Sequence, residues 1–77
     1  MMKLSKDQLC KIVGKRIREE RLKKGLTLEK LAHDAEMDYS QLNRIELGKI
    51  NTSIYHIYQI SKFLEIPVPE LFKSIID

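Results

Sequence analysis

Apolar residues recur every three or four positions along most of this chain, broken by short polar stretches, and that period predicts helices. Ser5 and Gln8 form a capping-box pattern, and the apolar stripe that follows holds Leu9, Ile12, Val13, Ile17 and Leu22 before Gly25 ends it. Gly14 interrupts this first helix at a cost relative to Ala, which points to close packing there. Leu28, Leu31, Ala32 and Ala35 predict a second helix over about 28–35, and Leu42 and Ile45 a third over about 39–47, stopped by Gly48. Ser53 suits the N-cap of a fourth helix reaching Leu64, with Ile54, Ile57, Ile60 and Leu64 inward. Pro67 blocks simple continuation, and Pro69 fits the first turn of a fifth helix carrying Leu71, Phe72, Ile75 and Ile76. The expectation is an all-α fold, a compact five-helix single domain over 1–77, without linker, repeat or low-complexity tract.

The second and third helices are too short to stand alone, since isolated helices below roughly 12–15 residues are marginal in water. Both must rest on a shared core, and the few residues between them force a sharp angle that small Ala32 and Ala35 accommodate. Asp38 is an expected N-cap for the third helix, its carboxylate accepting from the following amides. Positions 39, 40, 43 and 44 then lie opposite Leu42 and Ile45, so Tyr39, Ser40, Asn43 and Arg44 form an outward polar face. This is the layout of a helix-turn-helix DNA reader, over 28–47. Arg44 can pair with guanine O6/N7 and Asn43 with adenine N6/N7, while Tyr39 suits a thymine methyl or a phosphate. Gln41 points sideways, toward the DNA backbone.

Charge sharpens the picture more than composition does. Residues 3–30 hold ten Lys or Arg against four acids, a balance of +6, whereas residues 31–77 hold four against seven, a balance of −3. The basic half should face an anion. Seventy-seven residues allow one domain, and a chain this small buries only about 60% of its unfolded surface, so a partner is expected. The single Cys10 permits no internal disulfide and suits a reducing cytosol, and a packed thiol is the simpler reading than a reactive one. No signal-peptide core or spanning apolar run is present, so the expected location is cytoplasmic and no membrane partner is expected. His33 and His56 lack grouped carboxylates or cysteines, and Gly14, Gly25 and Gly48 are isolated, so no catalytic residue, metal site or cofactor is expected.

The chain resembles the helix-turn-helix domain of the lambda and 434 repressors and Cro over about Val13 to Phe72. The resemblance rests on Ile17 and Arg21, Gly25-Leu26-Thr27, Leu31-Ala32, Ile45-Glu46 with Gly48-Lys49, and the trailing Ile60, Leu64, Ile66 and Leu71-Phe72. It implies a lambda-repressor-like fold and a small bacterial or phage regulator, similar to restriction-modification controllers. It also implies that Arg21 and Glu46 meet as a partly buried ion pair. Three positions depart from the family pattern. Leu28 stands where a phosphate-touching Gln is common, Glu36 where the turn often has Gly or Asn in the left-handed region, and Ile50-Asn51-Thr52-Ser53 where further basic residues often follow Lys49.

Expected phosphate contacts are Thr27 and Leu28 through the start of the second helix, Gln41, Lys49, Asn51 and Ser53, and Lys15 or Arg16 on the first helix. One such domain reads too few base pairs alone, and a homodimer on spaced half-sites solves this. Residues 55–77 are the expected dimerisation region, with Tyr55, Tyr58, Phe63, Val68, Ile75 and Ile76 as its apolar side chains; their alternative is ordinary core filling. The functional expectation is a double-stranded DNA-binding transcriptional regulator, a repressor. The competing reading is a protein-interaction module such as an antitoxin, with a protein partner and DNA binding secondary.

Overall fold

The computed structural model describes residues 3–75. Five helices follow in order: α1 (Lys6–Lys23), α2 (Leu28–Asp34), α3 (Tyr39–Glu46), α4 (Ile54–Leu64) and α5 (Val68–Phe72), and no strand occurs among the described residues. The start of α1 is a reciprocal capping box, with the Gln8 amide donating to Ser5 Oγ at 3.1 Å and the Ser5 amide to Gln8 Oε1 at 2.8 Å. Thr27 and Ser53 cap α2 and α4 in the same manner, accepting from Lys30 and His56 backbone amides at 3.0 and 3.1 Å. Asp38 occupies the N-cap position of α3, but its side chain makes no capping bond, contrary to expectation.

Helix ends are closed by residues in the left-handed region. Gly25 (φ +68°) and Gly48 (φ +72°) do this without a Cβ penalty, while Glu36 (φ +57°) and Glu65 (φ +59°) do it with one. At each, the residue beyond reaches back into the helix: Leu26 N–H to Arg21, Met37 to Ala32, Lys49 to Arg44 and Ile66 to Ser61, all at 2.9–3.1 Å. Glu36 thus adopts the left-handed conformation that Gly or Asn often supplies in the family, with the strain a Cβ brings there. It is braced by Gln59 of α4, itself only 5% exposed, whose Nε2 donates to Glu36 Oε1 at 3.1 Å.

The core gathers Val13, Ile17, Leu31, Ala32, Ala35, Leu42, Ile45, Ile60, Leu64 and Leu71, with Leu9, Ile57, Phe63 and Phe72 packed around it. Two residues expected inward are not. Leu22 is half exposed because five residues beyond Ile17 rotate it about 140° around the helix. Ile54 is 90% exposed, since six residues place it about 120° from the buried Ile60. The last helix is also shorter than expected, ending at Phe72, so Ile75 lies beyond it and Ile76 outside the described residues.

At Gly14, α1 packs against the end of α3 at backbone distance. A Cβ built on Gly14 would lie 2.2 Å from the Ile45 carbonyl oxygen and 2.8 Å from that of Glu46. Those neighbours are backbone, which cannot swing aside, so the sequence expectation of close packing at Gly14 holds. Gly14→Ala would gain about 1 kcal/mol of helix propensity but lose about 1–3 kcal/mol to overpacking, with this contact at or above the upper end. The expected net is a lowered melting temperature, by roughly 4–16 °C for about 1–2 kcal/mol in a domain this small. Calorimetry showing an unchanged or higher midpoint would contradict the crossing.

Candidate nucleic-acid interface

On α3, burial alternates with exposure as the period demands. Leu42, Ile45 and Glu46 are buried, and Tyr39, Ser40, Asn43 and Arg44 are all exposed, Tyr39 at 52%. The four expected base-reading residues thus share one solvent face on a short, rigidly seated helix. Leu47, also exposed, extends that face toward the loop.

The inner side is held by charge as well as by apolar packing. Arg21 Nε donates to Glu46 Oε2 at 2.8 Å and Nη2 to Oε1 at 3.0 Å, a two-pronged pair whose side chains are 10% and 3% exposed. A third donor, Nη1, reaches the Leu26 carbonyl at 2.9 Å, so one guanidinium ties α1, the α1–α2 turn and the end of α3 together. The hydrogen bonds that Arg21 donates to the Glu46 carboxylate raise its pKa above the ordinary value, against the opposing effect of burial. The pair implied by the family resemblance is present, and it is architectural.

The positive charge of the first thirty residues divides between structure and surface. Arg16 was expected at phosphate, but its Nη1 donates to the Leu71 and Lys73 carbonyls at 3.3 and 2.5 Å, tying α1 to the end of α5. Its position, 200° around α1 from the α3-facing Gly14, directs it to α5 instead. Lys24 is likewise committed to the Leu64 carbonyl. Lys15 is exposed and, among the described residues, forms no ion pair; the same is true of Lys11, Arg44 and Lys49. Lys11 is a residue that the sequence reading missed. Gly48 packs on its backbone, where an added Cβ would meet the Lys11 Cα at 2.6 Å, and this brings Lys11 beside the Gly48–Lys49 turn. The four-residue spacing from Lys15 was the available signal.

Among the other expected phosphate contacts, Asn51 and Ser53 are exposed on the α3–α4 loop, with Ser53 Oγ also serving as cap. Thr27 is exposed and its hydroxyl caps α2, while the Leu28 side chain packs against the core, leaving only its backbone for a phosphate. Gln41 is half-buried, with Nε2 3.2 Å from His56 Nδ1 of α4, a partner that sequence reading did not identify. Of the expected dimer residues, Tyr55 and Tyr58 are exposed, whereas Phe63 and Ile75 pack against the core and Val68 is half-buried, lining an apolar groove of about 360 Å³ with Leu9, Ile50, Ile57 and Phe72. Cys10 is half-buried along the same groove. The His33 side chain is 87% exposed. Among the described residues, no three His, Cys, Asp or Glu are grouped to hold a metal, and no helix is long and apolar enough to cross a membrane.

The family model described as Helix-turn-helix matches residues 17–71. The restriction-modification controller protein C.AhdI from Aeromonas hydrophila is 36% identical, with 82% of this chain and 96% of that one covered at a TM-score of 0.80. The biofilm master regulator SinR, in a structure with DNA, is 34% identical over 79% of this chain and 98% of that one, at a TM-score of 0.75. A SinR/SinI protein complex contains a chain 32% identical, with 83% and 63% covered and a TM-score of 0.77. No curated protein matches. The chain belongs to the helix-turn-helix family, as a lambda-repressor-like DNA-binding transcription regulator.

Glu46→Ala would leave the Arg21 charge buried without its partner, and the expected loss of folding stability is about 3–5 kcal/mol. Urea denaturation measures it, and an unaltered midpoint would show that the pair contributes nothing.

Proposed function

We propose that this protein is a sequence-specific repressor that reads the major groove of double-stranded DNA with α3, as a homodimer on half-sites about one helical turn apart. The observation that carries the reading is the division of α3 into a buried apolar side and an exposed side bearing Tyr39, Ser40, Asn43 and Arg44. Arg44 and Asn43 supply paired donors and acceptors suited to base edges, and Tyr39 and Ser40 sit at the helix start, where such helices enter the groove. Lys15, Lys49, Asn51, Ser53 and the Thr27-Leu28 backbone are the contacts to phosphate, to which the position of Lys11 adds one more. The dimer contact is assigned to the C-terminal third, where Tyr55 and Tyr58 are exposed and Ile54 is almost wholly so.

A specific observation also favours a protein partner: exposed Ile54 borders an open apolar groove with Leu9, Ile57, Val68 and Phe72, and the SinR/SinI protein complex contains a chain similar in fold. On that reading the groove engages a different protein and DNA binding is secondary.

A site selected from a random duplex pool, then titrated over a salt series, separates the two. Neutralising about five to eight phosphates predicts a log–log slope of roughly −4.5 to −7. Arg44→Ala should cost about 1–3 kcal/mol and relax preference at one base position, whereas Lys49→Ala should weaken all sequences alike. A flat salt dependence, or no duplex binding, would favour the protein module. Sedimentation at micromolar concentration is expected to give twice the mass of one chain; a single-chain mass would remove the homodimer.

A further inference from the structure

The first turn of α3 carries two of the base-reading residues, yet no side-chain cap secures it. Its cap residue Asp38 makes no side-chain bond, and the helix spans only eight residues, a length marginal without outside support. Beyond the packing of α3 on α1 and α2, α4 contributes one side-chain contact to this turn. Gln41, the third residue of α3, turns away from the exposed face, and its Nε2 lies 3.2 Å from Nδ1 of His56. The same ring nitrogen lies 3.4 Å from Thr52 Oγ1, in the loop that holds Lys49, Asn51 and Ser53. His56 is itself fixed at the head of α4, where its backbone amide donates to Ser53 Oγ at 3.1 Å.

We propose that His56 is a positioning residue for DNA recognition, its imidazole holding the start of α3 and the phosphate-facing loop in one register through Gln41 and Thr52. The inference rests on the duplex-binding reading and deepens it. An amide nitrogen only donates, so Nδ1 offers its lone pair to Gln41 and the ring proton sits on Nε2. The Thr52 hydroxyl, at a longer distance, shares the same lone pair. His56 touches no base in this arrangement. It acts through Gln41, whose neighbours Tyr39 and Ser40 must meet base edges, and through the loop whose side chains meet phosphates. Base contacts read sequence, while phosphate contacts carry no sequence information directly. Releasing the link should therefore cost discrimination more than general affinity.

The test compares wild type, His56→Ala, His56→Asn, Gln41→Ala and the Gln41→Ala/His56→Ala double variant on a pool-selected duplex and a random duplex. His56→Ala is expected to lose roughly three- to tenfold affinity for the selected duplex, the range of one neutral hydrogen bond, with less than about twofold change on the random duplex. His56→Asn places an acceptor near the former Nδ1 and should restore most of the loss. In the Gln41→Ala background, His56→Ala should add little, because the two residues act as one unit. In the free protein, Gln41→Ala should shift the ¹⁵N resonances of the His56 ring.

Equal losses on both duplexes, additive losses in the double variant, or unmoved His56 resonances would each overturn the positioning role while leaving DNA binding intact. Failure of the wild type to bind any duplex would overturn the proposed function and this inference with it. Should His56→Ala unfold, the Gln41→Ala comparison and the ring resonances decide the matter alone.

Discussion

The close contact between α1 and the end of α3 governs the rest of the molecule. Gly14 lets the α1 backbone rest against the Ile45 and Glu46 carbonyl oxygens, and about two turns further on Arg21 grips the Glu46 carboxylate with two nitrogens. A recognition helix of eight residues has too little surface of its own to hold an orientation. Fixing its C-terminal end at backbone distance, with a buried ion pair beside it, defines which side of α3 stays free. The buried pair adds directional constraint that apolar packing alone does not provide. Breaking it costs more than its formation returns, because the surviving charge stays away from water.

A second constraint acts at the other end of the same helix. The α2–α3 turn is closed by Glu36 at positive φ, a conformation that Gly would adopt freely, and its carboxylate is bound by the nearly buried Gln59. Together with the His56–Gln41 contact, this makes α4 a back-plate for the helix-turn-helix unit: it braces the turn and the first turn of α3, while α1 braces the last. The positive charge follows the same logic of division. Arg16, Arg21 and Lys24 join elements inside the molecule, and Lys11, Lys15 and Lys49, which form no ion pair among the described residues, are left at the surface.

Most of this architecture was legible in the residues. Helical period located all five helices to within a few residues, the Ser5–Gln8 box and the Ser53 cap are formed, and Gly14 declared its close packing by its cost. The Arg21–Glu46 pair came only through resemblance, since two charges 25 positions apart carry no periodic signal. The errors have a common physical origin. Leu22 and Ile54 were assigned inward because they are apolar, although their angular positions place them off the buried stripe. Arg16 and Gln41, expected at phosphate, meet the α5 carbonyls and an imidazole respectively, partners that no spacing along the chain signals. Hydrogen bonds between residues distant in sequence depend on how helices pack, which the pattern along one chain does not encode. The Gln59–Glu36 brace was missed for the same reason.

The central claim is that α3, clamped at both ends, presents residues 39–44 to a duplex. Backbone chemical-shift mapping of the protein during titration with a short selected duplex tests it most directly. The account predicts the largest changes at Tyr39, Ser40, Asn43, Arg44 and Lys49, with α5 nearly silent. Changes concentrated on α5 and the apolar groove, with residues 39–44 unmoved, would contradict it.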